Sequence, residues 1–153
     1  MNSTKIKKNL REFHIWDFPD NIYILIEEKI RNIVFSKIYS YYGSKRKAAK
    51  SLMLDLKTIR DYERAFSIKH KIKHPQYISI SFFKKVIHLF NQQFLNKIEK
   101  NINAISTRNG LDITNPILPI KESSSLYRII AHILADGSAS KVKHPIMQII
   151  VNY

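Results

Sequence analysis

Apolar residues recur at spacings of three and four along most of the chain, a pattern typical of helices with one buried face. It predicts a helix over residues 21–42, because Asp20 after Pro19 suits a helix start and Gly43 suits the position just past a helix end. A second long helix is predicted over residues 81–105, either continuous or broken near Gln92. The hydrophobic pattern therefore predicts a mainly α chain.

Residues 44–66 are predicted to form two short helices joined by a tight turn. Ala48 and Ala49 are small, as a helix requires where a second helix crosses it closely, and Asp55 is a suitable N-cap for the second helix. The predicted apolar face of that second helix contains Leu56, Ile59, Tyr62 and Phe66. A helix with such an apolar back and a basic front can lie in the major groove of DNA.

The order Ala49, Leu52-Met53-Leu54, Ile59 and Tyr62 resembles the core spacing of the helix-turn-helix family. That family usually has glycine where Met53 stands, since the turn favours a left-handed residue, so backbone strain is expected at Met53. In this motif the first helix crosses the phosphates, and the expected contacts are Lys45, Arg46, Lys47 and Lys50. The second helix would meet bases or nearby phosphates through Lys57, Thr58, Arg60 and Arg64. The alternative is an ordinary amphipathic helix pair with a solvated basic face.

The charge balance indicates a polyanionic partner. The 153 residues include 26 Lys and Arg against 12 Asp and Glu, which gives a net charge of +14. Double-stranded DNA is the predicted partner, and an anionic membrane surface is the physical alternative. No apolar run approaches the roughly 20 residues of a membrane span, and the lack of cysteine excludes thiolate metal sites. We therefore expect a cytoplasmic, nucleoid-associated protein with no membrane partner.

Two further segments add basic residues. Residues 1–20 form a basic and aromatic leader, whose aromatic cluster around Trp16 is expected to pack over the first helix. Residues 67–76, SIKHKIKHPQ, are predicted to be a short strand or an extended loop that enlarges the basic surface. His70 and His74 have a metal-chelating spacing on a helix, but Pro75 argues against a helix there. Solvated histidines are therefore the favoured interpretation.

The best domain boundary lies near residue 111. The stretch LDITNPILPIKE that begins there is predicted to be extended, because Pro116 and Pro119 disfavour helix at the residues before them. The predicted parts are a leader of residues 1–20, a helical helix-turn-helix domain of residues 21–110, and a C-terminal segment of residues 111–153.

The C-terminal segment contains a second informative motif. Residues 123–138 predict a helix in which Ala131 and Ala135, four residues apart, would let another backbone approach closely. Asp136 ends that helix, where a carboxylate is unfavourable near the helix dipole and invites a metal ion as its explanation.

The sequence IIAHILADG, residues 129–137, resembles the LAGLIDADG motif of homing endonucleases, and the preceding PILPIKESSSLYR resembles the approach to that motif in archaeal members. The resemblance implies that two such helices pack through Ala131 and Ala135, and that Asp136 is a catalytic carboxylate that binds Mg²⁺. Oxygen ligands suit this hard cation, which can activate water for phosphodiester cleavage.

The chain departs from this family after the motif. Members need four strands and further helices beyond the first motif, whereas only residues 138–153 follow it here, so an active site would require a homodimer. We therefore expect a helix-turn-helix domain followed by a truncated α+β LAGLIDADG-like segment, and a DNA-binding protein without nuclease activity. The alternatives are a Mg²⁺-dependent homodimeric DNA endonuclease and a basic RNA-binding or structural protein.

The endonuclease alternative makes a testable prediction at Asp136. If the Asp136 carboxylate binds a catalytic Mg²⁺, Asp136→Asn abolishes cleavage of a DNA library in Mg²⁺ or Mn²⁺ and leaves duplex affinity nearly unchanged. Gel analysis of the cleaved library measures the first effect, and fluorescence anisotropy measures the second. Pure wild-type protein that cuts no member of the library would eliminate this alternative.

Overall fold

The computed structural model describes residues 11–69, 71–107 and 112–123. Its helices are α1 (Glu28–Tyr42), α2 (Lys45–Ser51), α3 (Leu56–Glu63), α4 (Ile80–Val86) and α5 (Gln92–Lys100), with short 3-10 helices at Ile15–Asp17 and Ile87–Leu89. Its strands are β1 (Glu12–Phe13), β2 (Ile22–Ile26), β3 (Phe66–Lys69), β4 (Ile72–Pro75), β5 (Ile78–Ser79), β6 (Ile102–Thr107), β7 (Ile113–Thr114) and β8 (Ile120–Lys121).

The described part of the protein is mixed α/β, with five α-helices and three antiparallel sheets, so the prediction of a mainly α chain is wrong. The first error lies in residues 21–42, where a strand precedes the helix. Ile22, Ile24 and Ile26 are at most 2% exposed and alternate with half-buried residues, which is the period of a strand with one fully covered face. Glu28 then begins α1, and Gly43 follows its end, as predicted, in the left-handed conformation that favours glycine.

The second error lies at the end of residues 81–105, where a strand begins at Ile102 in place of the predicted helix. The helical segment ends at Leu89. Asn91 then caps the start of α5, because its side-chain oxygen accepts a hydrogen bond from the Phe94 amide. This is the break that the sequence offered as an alternative. Ile102 then starts β6, which pairs with β2 and buries the side chains of Ile102, Ala104 and Ile105.

The largest sheet has the spatial order β5-β2-β6-β7, and every neighbouring pair is antiparallel. β1 pairs separately with β8, which brings Glu12 opposite Lys121. β7 and β8 both come from residues 112–123 and pair with strands that precede them in the chain. The predicted division at residues 20 and 110 remains a prediction.

A helical module is inserted between two paired strands of this sheet. β2 leads into α1, and the chain returns after β4 to form β5, whose Ile78 lies opposite Ile24. The inserted residues 27–77 contain α1, α2, α3 and the β3–β4 hairpin. Phe35 on α1 stacks on Phe82 of α4 with ring centroids 5.7 Å apart, so one hydrophobic core joins the module to the rest of the protein.

The aromatic segment before β2 packs into the core through Ile15 and Phe18, which are 1% and 2% exposed. The 3-10 helix that carries Ile15 lies against α4, whereas packing over the first helix was expected. The buried Glu99 carboxylate holds this segment, since it accepts hydrogen bonds from the Ile15 amide at 2.7 Å and pairs with His14 Nδ1 at 2.8 Å. Both carboxylate oxygens are therefore used in the fold.

Candidate nucleic-acid interface

The first helix of the predicted pair, α2, packs through its small residues as the sequence predicts, and Ser44 caps its start. Ser44 precedes it, and the Ser44 hydroxyl accepts a hydrogen bond from the Lys47 amide at 3.2 Å. Ala48 and Ala49 are 0% and 5% exposed, so the small residues lie where neighbouring helices approach. A larger side chain at either position would force the helices apart.

The turn between α2 and α3 has the left-handed residue that the motif requires. Met53 has φ +52°, its amide donates to the Lys50 carbonyl, and the Leu54 amide donates to the Ala49 carbonyl at 3.0 Å. Because the Met53 side chain is 86% exposed, no packing offsets the cost of this conformation. Asp55 occupies the N-cap position, but its carboxylate makes no capping bond within the described part of the chain.

The back of α3 is anchored in the core. Ile59 is fully buried, and Tyr62 packs its ring 5.2 Å from that of Phe82 and donates its hydroxyl proton to the Ser79 hydroxyl. Phe66 does not belong to this face, because α3 ends at Glu63 and Phe66 lies in β3 with 39% exposure. The prediction that placed Phe66 on the helix is wrong.

The front of α3 faces solvent and is basic. Lys57, Arg60 and Arg64 are exposed, and Thr58 is half-buried beside them. Arg64 is the residue just past the end of α3, so it lies at the end of the basic front and not in its middle. The three cations that the sequence placed on this surface are therefore available to a polyanion.

The four cations of α2 do not behave alike. Arg46, Lys47 and Lys50 are exposed, as expected for contacts to phosphates. Lys45 is half-buried: its ammonium group pairs closely with the Glu63 carboxylate and lies 5.2 Å from the Tyr39 ring centroid. Lys45 thus links α2 to the end of α3, and its charge is already compensated.

A basic hairpin follows α3 directly. β3 and β4 pair antiparallel, with Ile68 opposite Lys73, so this segment forms a two-stranded hairpin where the sequence predicted a single short strand or an extended loop. Lys69, Lys71 and Lys73 are exposed on it. His74 is exposed as well and His70 lies outside the described residues, and no cluster of three His, Asp or Glu suited to a metal occurs among those described.

Arg31 joins α3 to this hairpin and is completely buried in α1. Its Nη1 donates to the Tyr62 carbonyl at 3.0 Å and to the Arg64 carbonyl at 2.6 Å, and its Nη2 donates to the Gln76 carbonyl at 2.6 Å. Tyr62 lies at the end of α3, while Arg64 and Gln76 flank the two ends of the hairpin. One guanidinium therefore binds both elements at their shared base.

Burial lowers the pKa of Arg31 to about 10, an effect that the Glu28 carboxylate opposes. The guanidinium is thus still charged at neutral pH, and its hydrogen bonds to the carbonyls are charge-assisted. Gln76 reinforces the same junction, because its amide donates to the Ala65 carbonyl and its side-chain nitrogen donates to the Ser67 hydroxyl at 2.6 Å. The base of the hairpin is therefore held from both sides.

Sequence reasoning missed both Arg31 and the hairpin's place beside α3. A signal was present for Arg31, since it lies four residues before Phe35 and seven before Ile38, on the apolar stripe of α1. A charged residue on such a stripe indicates a buried partner. The alternation of Lys69, Lys71 and Lys73 with apolar residues was the corresponding signal for the hairpin.

Ala131, Ala135 and Asp136 lie outside the described residues. The Mg²⁺ site, the helix pairing and the homodimer therefore remain predictions. No helix in the described ranges is long and apolar enough to cross a membrane. No family model, curated protein or solved structure matches the chain, so the relationship to the LAGLIDADG family also remains a prediction.

The left-handed turn predicts that Met53→Gly stabilises the protein. Glycine adopts positive φ without the steric cost that methionine bears, so we expect the free energy of unfolding to rise by about 0.5–1 kcal/mol. Urea denaturation followed by circular dichroism measures this change. The matched control is Lys50→Gly inside α2, which should lower stability by about 1 kcal/mol. Equal destabilisation by both variants would contradict strain at Met53.

The buried guanidinium predicts that Arg31→Met destabilises the protein by about 2–4 kcal/mol. Methionine fills much of the volume but leaves three backbone carbonyls without their donor, each at a cost of about 1–3 kcal/mol, partly offset by removal of a buried charge. Lys29→Met, on the exposed face of the same helix, is the control and should change stability by less than about 0.5 kcal/mol. Similar urea midpoints for the two variants would show that Arg31 does not brace this junction.

Proposed function

We propose that the chain is a double-stranded DNA-binding protein, in which α3 enters the major groove and the β3–β4 hairpin contacts the backbone beside it. The observation that carries this proposal is the Arg31 network, which binds the end of α3 and both ends of the hairpin. Two exposed basic elements are thereby tied together at their base, which suits a duplex with regularly spaced phosphates.

The dimensions of α3 support a duplex in the B form. An α-helix with its side chains is about 10–12 Å in diameter, which fits the B-form major groove of about 12 Å, and the eight residues of α3 give it a length of about 12 Å along that groove. Arg60 has the donors for a bidentate contact to guanine, and Lys57 can reach a base edge or a phosphate. Thr58, half-buried beside them, would lie between the helix and the groove floor.

The backbone contacts are assigned to α2 and to the hairpin. Arg46, Lys47 and Lys50 would neutralise phosphates on one side of the groove, and Lys69, Lys71 and Lys73 would do so on the other. Lys45 is removed from this set, because its ammonium group is held by Glu63. Its role in the proposal is to fix the angle between the two helices.

The distribution of aromatic residues favours DNA over single-stranded RNA. Readers of single-stranded RNA commonly stack bases on exposed aromatic side chains of a sheet. Here Phe35, Phe82 and Phe83 are each at most 2% exposed in the core, whereas Phe66 on β3 is 39% exposed and has the Lys73 ammonium group 3.8 Å from its ring centroid. The cytoplasmic, nucleoid-associated location belongs to the same proposal, whereas no described residue favours nuclease activity.

The proposal predicts different effects from α3 and α2 substitutions. Lys50→Gln should weaken the salt dependence of binding for any duplex sequence: the negative slope of log affinity against log salt should become about one unit smaller in magnitude. Arg60→Ala should cost about 1–3 kcal/mol of binding, and the loss should vary with sequence if Arg60 contacts guanine. Anisotropy titrations of a labelled duplex between about 50 and 200 mM salt measure both effects.

Lys97→Gln is the matched control, because Lys97 is an exposed lysine on α5, away from the helix pair. It should leave both the affinity and the salt slope close to those of the wild type. Duplex binding that is independent of salt would contradict the proposal. So would a structured RNA that displaces the duplex at lower concentration than unlabelled duplex does.

A further inference from the structure

The β3–β4 hairpin has an exposed apolar side chain near its tip. The register places Phe66, Ile68, Lys73 and Pro75 on one face, because Ile68 pairs with Lys73 and Phe66 pairs with Pro75. Ile68 is 80% exposed, whereas Phe66 is 39% exposed and carries the Lys73 ammonium group 3.8 Å from its ring centroid. Ile68 is therefore the leading apolar group of this face.

Three lysines lie in the hairpin close to Ile68: Lys73 shares its face, Lys69 points to the opposite face, and Lys71 lies in the turn. Lys69 precedes the hairpin turn, Lys71 lies in it with φ +65°, and Lys73 lies directly across from Ile68. The buried core of a protein–protein interface is depleted of lysine, so this arrangement is atypical of a protein-docking surface. An apolar side chain among cations is complementary to a nucleic-acid groove, where phosphates flank stacked bases.

The hairpin is long enough to reach the groove beside the one that α3 would occupy. Each strand has four residues, so the hairpin measures about 13 Å from its base to its turn. That length exceeds the width of a minor groove, about 6 Å. The Arg31 bonds to the carbonyls of Arg64 and Gln76 brace the hairpin at its base, beside the end of α3.

We propose that Ile68 is a wedge that inserts between two base pairs from the minor groove, while Lys69, Lys71 and Lys73 hold the flanking phosphates. This inference rests on the proposed binding of duplex DNA and adds a deformation of the duplex to it. Apolar side chains inserted at a base step unstack it and kink the duplex by about 20–90° towards the major groove. Pyrimidine–purine steps such as TA unstack most easily and are the expected target.

The experiment uses the full chain and a duplex of alternating thymine and adenine, about 30 base pairs long, which offers TA steps in every binding register. Several adenines are replaced by 2-aminopurine, whose fluorescence rises on unstacking, and a second sample carries an energy-transfer pair at its ends. At saturation, the wild type should raise the 2-aminopurine signal and shorten the end-to-end distance by an amount consistent with a bend of about 20–90°.

Ile68→Ala should lose both signals and retain a salt slope within about 0.3 units of the wild type, because no phosphate contact is removed. Ile68→Leu keeps an apolar wedge and should restore the signals. Ile117→Ala removes an isoleucine that is 90% exposed elsewhere in the protein and should behave as the wild type does. Circular dichroism of each variant checks that the fold is unchanged.

The outcomes separate the two proposals. Saturated binding without a fluorescence rise or bend would overturn the wedge and leave the DNA-binding proposal standing. Equal signals from Ile68→Ala and the wild type would also overturn the wedge. A chain that does not bind this duplex at low salt would overturn the wedge together with the proposed function.

Discussion

The hydrogen bonds of the buried Arg31 guanidinium determine how the basic surface of this protein is assembled. They reach the carbonyls of Tyr62, Arg64 and Gln76, which belong to the end of α3 and to the two ends of the hairpin. An ammonium group in the same place could not serve these three acceptors in one plane, since only arginine offers a rigid fork of donors. Its Nε has no hydrogen-bond partner among the described residues, so the network is not fully satisfied. Burial of the unpaired Nε opposes folding, and the hydrogen bonds of Nη1 and Nη2 hold the end of α3 and the hairpin in one relative orientation.

The parts of the fold that local chemistry controls could be predicted from the sequence. Ser44 as a cap, Gly43 at a helix end and a left-handed residue at Met53 all depend on a few neighbouring residues, and the structure contains them. The strands β2 and β6 could not be assigned in this way. IYILI and INAIST suit either a helix or a strand locally, and their pairing across about 80 residues decides between the two.

The candidate site divides along the same line. Net charge and helical spacing were enough to place Lys57, Arg60 and the exposed cations of α2 on the surface. Charge and spacing were not enough to show that Lys45 forms an ion pair with Glu63, or that the hairpin lies beside α3. Both features depend on contacts between residues far apart in sequence. Local patterns therefore identified the side chains that could bind a polyanion, and tertiary contacts determined which of them are available.

The insertion of residues 27–77 between β2 and β5 has an architectural consequence. Tyr23 lies opposite Ser79, so the chain enters and leaves the inserted part at points separated by about one interstrand spacing. The Ser79 hydroxyl also accepts hydrogen bonds from the Tyr62 hydroxyl and from the Phe82 amide at the start of α4. Ser79 on β5 is therefore bonded both to α3 in the inserted part and to α4 outside it. Because its two ends lie on neighbouring strands, the inserted part is a self-contained insertion in the sheet. Its length and surface can vary during evolution while the strand order of the host sheet stays the same.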